Sequence, residues 1–184
     1  MLKLKSILRN FKSNHNGIAA VEFALILPIL SLLTFGGYAT FEALQVNRSV
    51  ERTSAVISDL ISRMAEIDDD TAENLEGIAA SFVGELSEDN SYQITMSNIQ
   101  NEFDTDETYE LTVDWSFSNK SDKKLTNDQI SKYDIPNIPE GETIILVYVT
   151  LEYSAWLFQD DIGKFTLEQA SLRRPRFVPL VMRK

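Results

Sequence analysis

The chain has 184 residues, no cysteine, one histidine and a formal net charge of −11. The charge is uneven: residues 1–17 hold Lys3, Lys5, Arg9 and Lys12 and no acid, while the remainder holds 13 basic and 28 acidic residues, a net of −15. A body this acidic is repelled by phosphate, so no nucleic-acid partner is expected, and without cysteine there is neither a thiol nucleophile nor a disulfide framework.

In chain order the basic head comes first, then an apolar run. The 19 residues from Phe23 to Phe41 carry no charge. At about 1.5 Å per residue they span roughly 29 Å, close to the hydrocarbon thickness of a bilayer. A secretory signal core is shorter, about 7–15 residues, and is followed by a small-x-small cleavage site. The run therefore predicts a transmembrane helix over 18–41 in contact with lipid. Positive charge before it and none until Arg48 keeps the N-terminus in the cytoplasm and exports residues 42–184. Pro28 lies within the run and removes the N–H that would bond back to Ala24, a weak or bent point in the helix.

Glu22 interrupts this segment near its start. An acid at the centre of a bilayer costs about 2.5–3.5 kcal/mol, less near the interface, so Glu22 calls for a partner. Cutting the chain after Gly17 would create one. The new α-amino group at Ile18, with a reference pKa near 8, would lie about one helical turn from the carboxylate. Between packed helices, such a pair offsets desolvation and sets axial register.

Beyond the span, Val50, Ile57, Leu60, Ile61 and Met64 recur at helical spacing and extend the helix to about 45 residues in all. Asp70 with Glu73 three residues on predicts a capped second helix, whose stripe is Leu75, Ile78, Ala79, Phe82, Val83 and Leu86. Strands follow. Tyr92, Ile94 and Met96 alternate with polar residues, Tyr109 through Phe117 alternate as a one-sided strand, 143–153 is strongly apolar, and a fourth strand covers 164–172. Residues 118–141 are polar, hold Pro136, Pro139 and Gly141, and predict a long exposed loop that serves as a contact surface. Helices followed by strands predict an α+β fold with an antiparallel sheet of three or four strands.

Catalysis is not expected. The only histidine, His15, sits in the basic head, so a chain cut after Gly17 has neither His nor Cys. The usual general base and the usual zinc and copper ligands are then missing. "DTDE" at 104–107 lacks the glycine turn and closing Glu of a calcium loop and predicts an acidic turn. No metal and no cofactor are expected.

The basic leader, the glycine and the acid five residues later resemble the processing site of type IV prepilins and pseudopilins. "GIAAVEFALILPIL" at 17–30 is similar to the opening of the TadE-like family of the tight adherence (Tad) pilus system. "TVDWSFS" at 112–118, "IPNIPEGETIILVYVTLEYSAW" at 135–156 and "RRPRFV" at 173–178 resemble family patterns further along. The family often has a proline shortly after the aromatic doublet, where this chain has Ala155-Trp156. The resemblance implies a pilin-like fold, with a leader at 1–17 removed by a prepilin peptidase, a transmembrane helix at 18–41 and a periplasmic or extracellular α+β domain at 42–184. It implies a processing site at Gly17 and Ile18, and helix pairing in assembly through Glu22, Phe23 and Pro28. It further implies a minor pilin or pseudopilin of the bacterial inner membrane that enters a pilus and acts in assembly, adhesion and biofilm formation. Its partners would be the peptidase, other pilins of the same system and the inner-membrane assembly platform. The competing expectation is an uncleaved, single-pass anchored periplasmic domain that binds a partner.

Overall fold

The structure, a computed structural model, describes residues 16–86, 91–103, 109–154, 164–177 and 182–183. Two compact units make up the chain, Met1–Phe41 and Glu42–Lys184. Helix α1, Asn16–Ser62, is 47 residues long with Pro28 inside it and belongs to both.

In the first unit the helix surface from Ile18 to Phe41 is apolar apart from Glu22 and a few hydroxyls, and it is exposed over most of its length, with Ala39 buried. Its two threonines bond back to the helix: Thr34 donates to the Leu30 carbonyl and Thr40 to the Gly36 carbonyl, each at 2.8 Å. Back-bonding of this kind removes the need for water around a polar side chain.

The second unit is α+β. After α1 come the two-residue strand β1 (Glu66–Ile67), helix α2 (Asp69–Val83) and β2 (Tyr92–Phe103), then β3 (Tyr109–Ser118), β4 (Thr143–Ser154), β5 (Lys164–Arg173) and β6 (Met182–Arg183). Four strands form one antiparallel sheet in the order β3-β2-β4-β5, and β1 pairs with β6 in parallel. The predicted class, the long first helix and the four main strands are all present; the small β1–β6 pair was not anticipated, being too short for a period to show.

One face of the sheet carries the main core. Val50, Ile57 and Ile61 of α1 and Leu75, Ala79 and Val83 of α2 pack with Ile94 and Met96 of β2 and the odd-numbered residues 145–153 of β4. The small polar residues Thr53, Ser54, Ser58 and Ser62 are also buried. Thr53, Ser54, Ser58 and Ser62 return their hydroxyls to α1 carbonyls, and Ser58 also meets the Ser171 hydroxyl at 2.8 Å. Small side chains let a helix approach a sheet closely, and their bonds avoid orphaned donors.

Three expectations are corrected here. The N-cap of α2 is Asp68, which accepts from the Thr71 N–H at 2.8 Å, and not Asp70, which lies in the first turn. The buried face of α2 is Ala72, Leu75, Ala79 and Val83, while Ile78, Phe82 and Leu86 are exposed. The third correction concerns β3. Asn98 pairs with Trp115 but Ile99 with Val113, so Asp114 is an extra residue in the strand. This bulge turns the alternation over. Trp115 and Phe117 face the helices, and Leu111 and Val113 face the opposite side. Buried Asn98 reaches across to the Asp114 carboxylate at 3.1 Å.

The opposite side is covered too, by the segment predicted to be an exposed loop. Residues 118–141 form short 3-10 turns at Ser121–Lys123 and Asn127–Lys132 and bury Leu125, Ile130 and Ile138 against Ile99, Ile144 and Leu146. Polar composition masked this role, because only about one residue in five or six needs to point inward. Side-chain bonds fasten the segment. Asn127 accepts from the Val113 N–H, Ser116 from the Leu125 N–H, and Asn101 donates to the Ile138 carbonyl at 2.6 Å. The segment ends at Gly141, whose φ of 71° favours glycine.

Asn101 is buried, so Asn101→Ala leaves the Ile138 carbonyl without its donor. The expected loss is about 1–3 kcal/mol, read as a lower urea midpoint with an unchanged slope.

Candidate functional site

The residues singled out for processing and pairing all lie on α1 in the first unit. Gly17, Ile18, Glu22 and Phe23 are exposed. A Cβ added to Gly17 meets nothing within 4 Å, so packing within the described residues does not require glycine there. Ile18 and Glu22 stand four residues apart on continuous helix. That separation is about 6 Å along the axis and places both on the same side. Pro28 follows Glu22 by six residues, inside the same apolar stretch. Met1 to His15 lie outside the described residues, as do "DTDE" and Trp156. Among the described residues this is one helix long and apolar enough to cross a membrane, with a window of mean hydropathy 2.3 and none of it buried.

Residues 17–52 match the TadE-like protein family. It is the family that "GIAAVEFALILPIL" resembles, and the match begins at the glycine. It contains Ile18, Glu22, Phe23 and Pro28 and ends within α1. The TadE-like segment suggests involvement in Tad pilus systems and association with their components. The downstream likenesses at 112–118, 135–156 and 173–178 lie beyond the matched residues. No curated protein and no solved structure matches the chain.

The C-terminal likeness "RRPRFV" has a structural role in the second unit. Arg176 pairs with Asp59 of α1 through its guanidinium, and its N–H donates to the Ser62 carbonyl at 2.8 Å near the C-terminus of the helix. Arg63, one turn on, shares Asp59 at 2.7 Å. Arg174 reaches the Glu142 carboxylate at 3.3 Å and the Asn137 carbonyl, also at 3.3 Å. The two arginines thus fasten the segment after β5 to α1 and to the covering segment. Desolvation raises the Asp59 carboxyl, but the Arg63 hydrogen bond and the charges of Arg176, Arg63 and Arg173 outweigh it and hold it below the usual range.

A depressed native pKa contributes stability above the unfolded value of about 3.9, and that contribution fades as pH falls through the native value. Asp59→Asn is therefore expected to lower the thermal midpoint at neutral pH, with the gap closing under more acid conditions. Parallel melting curves of the two proteins between neutral and acid pH check this.

A second feature was not foreseen from sequence. On the sheet face away from the helices, a cavity of about 460 Å³ lies between the strands and residues 120–133. The Tyr148 hydroxyl donates to Glu168 at 2.7 Å, and the Tyr148 ring meets Tyr133 edge-on with centroids 5.5 Å apart. Burial and then the Glu168 hydrogen bond hold the Tyr148 phenol well above its ordinary range; burial also raises Tyr133. Both phenols are neutral at physiological pH. The residues of this site come from four separated stretches of chain, so no local motif announces it.

Proposed function

We propose that the chain is a minor pilin or pseudopilin of a Tad-type, type IV-like pilus, acting in pilus assembly or initiation and through the filament in adhesion and biofilm formation. The observation that carries this is the TadE-like match, which starts at Gly17 on a membrane-length apolar helix and includes Glu22. In this reading a prepilin peptidase cuts between Gly17 and Ile18 on the cytoplasmic side. The basic leader stays inside, 18–41 crosses the inner membrane, and 42–184 lies in the periplasm until the subunit enters the filament. Among the described residues nothing packs where a Gly17 Cβ would stand, which supports a demand from outside the fold, such as a peptidase cleft that needs a small residue.

The freed amine of Ile18 and the Glu22 carboxylate then pair between neighbouring subunits, and Phe23 and Pro28 shape the surrounding helix contact. The chain is the substrate of this chemistry and not its catalyst; it needs no metal or cofactor. A second reading, an uncut anchored periplasmic domain that binds a partner, draws support from the cavity in the second unit.

Intact mass of the protein from native membranes separates the two. A product beginning at Ile18, formed only when the prepilin peptidase is present, is expected. Full-length chain in both the peptidase-containing and peptidase-deleted strains would leave the anchored partner-binding domain as the account.

A further inference from the structure

The outward face of the sheet changes character along its length. Where Ile99, Ile144 and Leu146 reach it, Leu125, Ile130 and Ile138 cover them. Beyond that cover the same face presents Gln93, Thr150, Glu152, Thr166 and Glu168 to the cavity. A solvent-facing sheet surface is polar for solubility alone. Here, however, the surface is concave, and its volume of about 460 Å³ lies within the range of about 300–1,000 Å³ that small-molecule sites occupy.

Charge narrows the ligand. Lys120, Lys123 and Lys132 line the cavity together with Asp122, Glu152 and Glu168, a balance of zero in a chain that is strongly acidic. Such a balance selects neither anions nor cations. Leu125 and the two tyrosines supply the few apolar surfaces, too few for an apolar ligand. The Thr150 and Thr166 hydroxyls and the Gln129 amide have no hydrogen-bond partner among the described residues and face the space with both donors and acceptors. Meanwhile Tyr148 is already fixed by Glu168 and braced by Tyr133 before anything binds. Hydroxyls, amides, lysines and carboxylates around a preset aromatic pair suit a ring that has C–H faces and many hydroxyl groups.

We propose that this cavity binds one or two hexose units of a neutral glycan. An extended peptide would instead add to a sheet edge, whereas this space lies over a sheet face. The inference does not depend on cleavage after Gly17 and stands or falls separately from it.

The test uses the full-length protein in phosphatidylcholine nanodiscs, free of sugar-headed detergent, and saturation-transfer NMR with maltose, lactose, cellobiose and N,N′-diacetylchitobiose. Transfer to the ring protons of at least one sugar is expected. Thr150→Val combined with Thr166→Val keeps two β-branched strand residues and removes two hydroxyls, so binding should weaken by roughly tenfold, the worth of two modest hydrogen bonds. No transfer from any of these sugars overturns the proposal, and so does transfer that the double variant leaves unchanged. Binding of inorganic phosphate alone, lost in Lys120→Gln, would also overturn it by reassigning the cavity to anions.

Discussion

Glu22→Ala is expected to leave processing intact and to abolish filament assembly. The peptide bond at issue lies five residues before Glu22 and is chemically unchanged by the substitution. What disappears, under the proposed processing, is the acceptor for an amine freed at Ile18. These two groups sit about one turn apart on continuous helix, too far along the axis to satisfy each other fully in one chain but well placed for a neighbour shifted by a turn. In lipid an unpaired carboxylate costs about 2.5–3.5 kcal/mol at mid-bilayer, and pairing offsets that cost only when subunits meet in register. Glu22→Ala removes the cost together with the register. The single chain should therefore accumulate in the membrane as readily as before, while filaments fail. Glu22→Gln should behave the same way, because it keeps the shape and loses the charge. Immunoblots for the processed band and filament counts by electron microscopy read the two effects separately. Normal filaments in either variant would sink the pairing idea while leaving cleavage untouched.

The second large effect concerns the second unit, Glu42–Lys184. Ile57→Asp should unfold it. Ile57 is fully buried in the core cluster that α1 shares with α2 and the sheet. An aspartate there would be a charge without a partner in an apolar layer, a mechanism that costs upwards of about 4 kcal/mol in a fold whose total stability is about 5–15 kcal/mol. Ile57→Val removes one methylene and should cost only about 0.5–1.5 kcal/mol. Limited proteolysis and urea titration followed by tryptophan fluorescence distinguish them: rapid degradation of the aspartate variant and a small midpoint shift for the valine variant are expected. Wild-type resistance of Ile57→Asp would mean that this part of α1 is not the core element the packing indicates.

The alternating strand at 109–117 shows where local pattern stops being enough. Its periodicity is unbroken from Tyr109 to Phe117, yet the extra residue Asp114 sends Leu111 and Val113 to one face and Trp115 and Phe117 to the other. A bulge is set by the partner strand, here by the pairing on either side of Asn98 and Ile99, and leaves no trace in the period of the strand that carries it. Residues 143–153 gave a clearer hint. Over 144–148 they are apolar on both faces, which is what a strand covered on both sides requires, and the cover on the second face is the segment 118–141.

By itself the sequence determined the membrane-length helix, its continuation beyond the apolar run, the α+β order, and Gly17, Ile18 and Glu22 as the residues to test. Each of these rests on local quantities: run length, helical spacing, charge along the chain and the position of one acid relative to one glycine. Tertiary structure alone decided the N-cap at Asp68, the bulge, the fastening of the C-terminal arginines to Asp59 and Glu142, and the polar cavity. These depend on contacts between residues far apart in the chain, such as Asn98 with Asp114 and Arg176 with Asp59, or on a choice among neighbouring acids that only geometry makes. A hydroxyl or a lysine has the same local signature whether it faces bulk water or the floor of a cavity, because what separates the two is the position of the chain on the other side.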